Sequence, residues 1–222
     1  MLNRTARLFV FMVFMAAFFI LAGGRAWAAD NRVVTVRGGD IELLRGDTWE
    51  RLATGSPVSL GDRVRTGKAA VAVVKLAGIG SFTIGPDTEM EMGKDKKEFK
   101  AGLTRGSLWL NSKLPKDGKA YISTTLATAG IRGTKFSVIV DEKGMEVCTC
   151  IGEVEVMLNG GKTLNAMTGR FVSIKAGDAL PDIAEPSNLI LKRVGKGADK
   201  RFDFCFTCHT VGGRGEVKRD WD

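Results

Sequence analysis

Histidine is nearly absent: His209 is the single one in 222 residues. If that imidazole is engaged elsewhere, no Ser–His–Asp or Cys–His pair is available, and hydrolysis of that kind is excluded. The chain also lacks a Gly-x-Ser-x-Gly elbow and a Gly-x-x-x-x-Gly-Lys-Ser/Thr phosphate loop. Proline is scarce, at five. After the N-terminal segment, no stretch is long and apolar enough to cross a bilayer. No segment interleaves aromatic with basic residues as a nucleic-acid groove would, and the charged run from Gly93 to Lys100 reads as a solvated loop. Glu153 and Glu155 alternate with valines, the pattern of a wet strand face rather than of paired catalytic acids. These absences point away from an enzyme and from a nucleic-acid partner.

What is present begins with an export signal. Arg4 and Arg7 precede 15 apolar residues, Leu8 to Ala22, and Ala26-Trp27-Ala28 follows as a small-x-small cleavage site. The run is short for a membrane span, so residues 1–28 read as a secretory signal rather than an uncleaved anchor. Cleavage leaves 30 basic against 25 acidic residues, a mildly basic chain expected in the periplasm, with no membrane span.

Between residues 29 and 180 the texture is that of an all-β domain. Glycine is frequent, at 28, and turn signals recur between short apolar or alternating runs. Ala70 to Leu76 is nearly continuous and reads as a buried strand. Ser81–Ile84, Thr88–Met92, Leu108–Leu110, Phe136–Val140, Glu153–Val156 and Arg170–Ile174 continue the series. Gly61-Asp62, Gly85-Pro86-Asp87, Gly102, Gly106, Asp117-Gly118, Asn159-Gly160-Gly161 and Gly177-Asp178 punctuate it. With no helix-length periodicity, short strands at this spacing predict a sandwich, barrel or solenoid-like β fold. From Pro181 the composition shifts to a connector, residues 181–201, whose basic stretch includes Lys192, Arg193, Lys196, Lys200 and Arg201. A short irregular tail, 202–222, ends the chain.

Several of these pieces, taken in order, resemble the periplasmic FecR domain. They are Leu60 to Gly67, Gly80 to Thr88, Leu103 to Leu110, Thr128 to Val138 and Gly152 to Val156. The resemblance covers roughly half the chain and implies an all-β envelope module for sensing or interaction, with an envelope protein as partner. Seven residues precede the apolar run, too few for the cytoplasmic anti-sigma segment of FecR signal transducers, so direct sigma-factor control is not expected. Arg132, flanked by Gly130 and Gly133, reads as part of a tight turn rather than as a ligand-binding group.

The sharpest chemical signal is Cys205-x-x-Cys208-His209. In c-type attachment two thiols add to the haem vinyls and the adjacent imidazole becomes an axial iron ligand. The spacing lets both sulfurs reach one ring edge while His209 points at the iron. Thirteen residues follow His209, too few to wrap a haem, so the β domain, a partner or a second copy must supply a wall. With no second histidine, the sixth position falls to Met145, Met157, Met167, a lysine, a cysteine or nothing. A redox partner belongs to this reading.

Cys148-Thr149-Cys150 opens alternatives. In a strand the two thiols share a face with Glu146, while Val147, Thr149 and Ile151 occupy the other. If the apolar face is inward, the thiols point to solvent or to something packed above them, and the tail at Cys205 could fold back over this face. Their Cα atoms would lie about 6.5 Å apart with parallel side chains, which disfavours a disulfide between them. Cys148, Cys150, Cys205 and Cys208 are therefore a possible thiolate site for zinc or an iron–sulfur cluster, with His209 as a substitute ligand. Two disulfides from strand to tail, with no metal, are the remaining arrangement.

Overall fold

The computed structural model describes residues 31–175 apart from Arg132, together with Gly177 and 181–184. In chain order the strands are β1 (Arg32–Arg37), β2 (Ile41–Arg45), β3 (Thr48–Leu52), β4 (Arg63–Thr66), β5 (Val71–Leu76), β6 (Gly80–Ile84), β7 (Glu89–Glu91) and β8 (Glu98–Ser112). There follow β9 (Lys119–Ser123), β10 (Ala127–Ile131), β11 (Lys135–Asp141), β12 (Gly144–Ile151), β13 (Glu153–Leu158), β14 (Thr163–Met167), β15 (Phe171–Ile174) and β16 (Asp182–Ala184). The all-β expectation holds throughout: the described residues contain no helix.

Two sheets share β8. Sheet A runs β1-β5-β6-β8-β11-β12-β15-β16, and sheet B runs β3-β2-β4-β7-β8-β9-β10-β13-β14. Every pairing is antiparallel except β8 with β9. The sheets meet as a sandwich around one core fed from both inner faces. Phe82 of sheet A meets Phe99 of sheet B with ring centroids 5.5 Å apart, a tilted contact across the middle. Each fully buried ring of this kind contributes roughly 2–3 kcal/mol of apolar burial. Met90 and Met92, two residues apart, both enter this core, as their alternation predicts.

Gly102 and Gly106, expected as turns, lie inside a 15-residue strand. The physical reason is local. Gly106 has φ +95°, which bends the strand without ending it, and a Cβ there would meet Thr88 atoms at 2.3–2.7 Å. The residues before Gly106 pair with β7 and β9, and those after it pair with β6 and β11. One glycine thus hands a strand from one sheet to the other. The reading of Ala70 to Leu76 as fully buried is also corrected. β5 alternates, with Ala72, Val74 and Leu76 in the core, Val71 and Val73 half-buried and Lys75 exposed.

Candidate functional site

Strand pairing lines up the outward side chains of sheet A in a continuous row. Thr83, Trp109, Ser137, Cys148 and Phe171 oppose one another in register across β6, β8, β11, β12 and β15. A parallel row carries Ser107, Ile139, Glu146 and Ser173. The alternation is strict: Leu108 and Leu110 flank Trp109 and enter the core, as Phe136 and Val138 do around Ser137.

An antiparallel sheet of this kind ordinarily shows water its outer face. This one does so only in part. Val71, Val73, Ser81 and Thr83 are half-buried on β5 and β6, whereas Trp109, Ser137, Ile139, Cys148 and Phe171 are only 1–6% exposed. None of these five belongs to the sandwich core. The outer face thus forms a second buried layer of indole, phenyl, aliphatic and sulfur groups.

Cys150 takes its place from a bulge. Lys135 pairs with Ile151 and Phe136 with Thr149, which leaves Cys150 as the extra residue of β12. Thr149 faces the interior, fully buried, and its Oγ1 donates to Ala166 O at 3.0 Å. Ile151, expected on the inward face beside Val147 and Thr149, is instead 41% exposed, because the extra residue shifts the alternation. Of the two outlets foreseen for the thiols, solvent is ruled out: Cys148 and Cys150 are both buried. Sequence patterning alone does not place Trp109 and Phe171 on a buried face. The alternation that marks them as outward was legible, but outward ordinarily means wet.

Cys205, Cys208, His209 and Arg132 lie outside the described residues, as does the expected signal segment. Among the described residues no group of three or more His, Cys, Asp or Glu side chains is placed to hold a metal ion. Of the methionines considered as ligands, Met145 is a core residue whose sulfur accepts from Thr124 Oγ1 at 3.2 Å. Met157 is half-buried and Met167 exposed on sheet B. Glu153 and Glu155 are exposed while Val154 and Val156 are buried, the wet strand face expected of them. Among the described residues no helix is long and apolar enough to cross a membrane.

The fold and this face define an all-β module built as a two-sheet sandwich with one heavily buried outer surface. Residues 62–155, less than half of the chain, match the protein family described as FecR protein. Among solved structures, the chain is similar to a candidate anti-sigma factor from Parabacteroides distasonis at 12% identity and a TM-score of 0.52. That alignment covers 59% of this chain and 63% of the other. A second candidate anti-sigma factor from the same organism has 14% identity and a TM-score of 0.48, over 58% of each chain. The chain thus spans less than two thirds of these structures, and at 12% identity the likeness to the first is one of fold. Compared with curated proteins, the chain has no match.

Proposed function

We propose that this chain is a non-enzymatic module of the bacterial envelope, exported by residues 1–28, in which a FecR-type sandwich presents one c-type haem for redox or haem-based signalling. The thioether bonds are assigned to Cys205 and Cys208 and the axial nitrogen to His209. The family match over residues 62–155 supports the envelope signalling part.

The haem part is carried by one observation: the buried apolar row on the outer face of sheet A, at the edge where the chain leaves the sheet. Ala184 stands opposite Phe171, which stands opposite Cys148, so the chain continues from a point about 10 Å from that thiol. Twenty residues separate Ala184 from Cys205, ample to return across the face. Trp109, Ile139 and Phe171 are buried apolar side chains of that face, the kind of wall a porphyrin needs and that the 13 residues after His209 are too few to build. Bound there, a haem supplies one-electron chemistry. Cys205, Cys208 and His209 would hold it, and the apolar side chains of sheet A would keep water from it.

A second reading shares the same geometry. Burial of Cys148 and Cys150 near the edge strands β15 and β16 also suits a thiolate zinc or iron–sulfur site formed with Cys205 and Cys208, or two disulfides from strand to tail. Haem staining of denatured protein, after expression with an active c-type maturation system, separates the readings. Thioether-linked haem survives unfolding, whereas zinc and adsorbed haem do not. An unstained band removes the haem reading, and metal analysis with a thiol count then divides the remaining two.

A further inference from the structure

We infer that the solvent face of sheet B, centred on Tyr121, binds an uncharged glycan chain. Strand register sets Lys100, Tyr121, Gly130, Glu155 and Asn165 in one row across β8, β9, β10, β13 and β14. The flanking core residues Ala120, Ile122, Ala129, Val154, Val156 and Ala166 point to the interior, so this row faces water.

Gly130 decides the shape. A Cβ at that position would lie 3.2 Å from two carbons of the Tyr121 ring, closer than a side chain ordinarily packs. With no side chain there, the ring leans over the neighbouring strand and lies along the sheet instead of standing away from it. Beside it opens a depression of about 390 Å³ lined by Lys119, Tyr121, Gly130, Glu153, Glu155 and Asn165.

The lining chemistry selects the ligand class. A recumbent aromatic ring suits the apolar C–H face of a pyranose. The carboxylates of Glu153 and Glu155 accept from sugar hydroxyls, Asn165 both donates and accepts, and Lys119 donates. Among the described residues none of these four side chains is held by another side chain, so their hydrogen-bonding capacity faces the depression. Charge argues against an anionic ligand. Two carboxylates oppose Lys119, and Lys100 is already paired with Glu98 at 2.9 Å while lying over the Tyr121 ring at 5.8 Å. A phosphate or nucleic-acid backbone would meet net negative charge, and a neutral polyhydroxyl chain does not. The site is an open row across several strands rather than a closed pocket, which fits an extended polymer better than a small molecule.

The test is a titration of the exported full-length chain with chitotetraose and cellotetraose, followed by calorimetry and by backbone amide shifts. Saturable binding with shifts confined to β9, β10, β13 and β14 is expected. Tyr121→Ala should weaken it roughly tenfold, and Tyr121→Phe should leave it within about twofold of the parent, since stacking needs the ring and not the hydroxyl. Gly130→Val, which lifts the ring, should weaken it as Tyr121→Ala does. Circular dichroism of each variant reports whether the sandwich is intact. Absence of binding to both oligosaccharides, or binding that a folded Tyr121→Ala variant retains in full, overturns the assignment. Neither result depends on whether haem is attached.

Discussion

Thr88 and Ser107 clasp each other where β8 passes between the sheets. The Ser107 amide donates to Thr88 Oγ1 at 2.9 Å, and that hydroxyl lies 3.1 Å from the Ser107 carbonyl, to which it can donate in turn. Both residues are fully buried. Thr88 is tied on its other side, its amide donating to Thr66 Oγ1 at 3.0 Å, and Thr66 Oγ1 donates to Gly85 O at 2.6 Å. Thr88→Val keeps the volume and strands a buried amide, so it should cost about 1–3 kcal/mol in urea unfolding. Thr88→Ser, which keeps the hydroxyl, should recover most of that loss.

Gly106→Ala tests the strand transfer itself. The new methyl would sit in a left-handed backbone region and inside the Thr88 side chain. A destabilisation of more than about 2 kcal/mol is expected, read as a fall in thermal midpoint. Gly102→Ala, with open space around its Cβ position and no positive φ, should change the midpoint little.

The buried thiol face makes its own prediction. Alkylating reagents should leave Cys148 and Cys150 unmodified in the native protein and label them only after unfolding, as followed by peptide mass. Cys148→Asp places a buried charge beside Ser137 and Phe171 and should cost about 3 kcal/mol or more, whereas Cys148→Ala should cost far less.

At the exposed turn before β8, backbone amides of Glu98 and Lys97 donate to the Asp95 carboxylate and hold its pKa below the ordinary 3.8. The contribution of this turn is therefore complete above the ordinary carboxylate range and is lost as pH falls through the lower folded value. A carboxyl-carbon titration should place the Asp95 midpoint below that of a model aspartate, and Asp95→Asn should flatten this part of the acid limb.

The strands were largely legible because one face of each is buried and the other is not, as at Met90 and Met92 or Val154 and Val156. The glycines misled at Gly102 and Gly106, since composition does not distinguish a turn from a bend inside a continuing strand. At Cys150 a single extra residue undid the face assignment of Ile151. Period-two reasoning carries no information about where a bulge falls. The candidate site was legible only as chemistry. Cys148 and Cys150 stood out by type, but Trp109 and Phe171 join Cys148 on one face only through pairing between strands distant in sequence, which no local pattern encodes.

Intact mass of the protein matured by a c-type assembly system tests the central claim most directly. The account expects a gain of one haem, lost in Cys205→Ala and Cys208→Ala, with Trp109→Ala altering the haem spectrum while leaving the covalent bond intact. A matured chain of unmodified mass would contradict it.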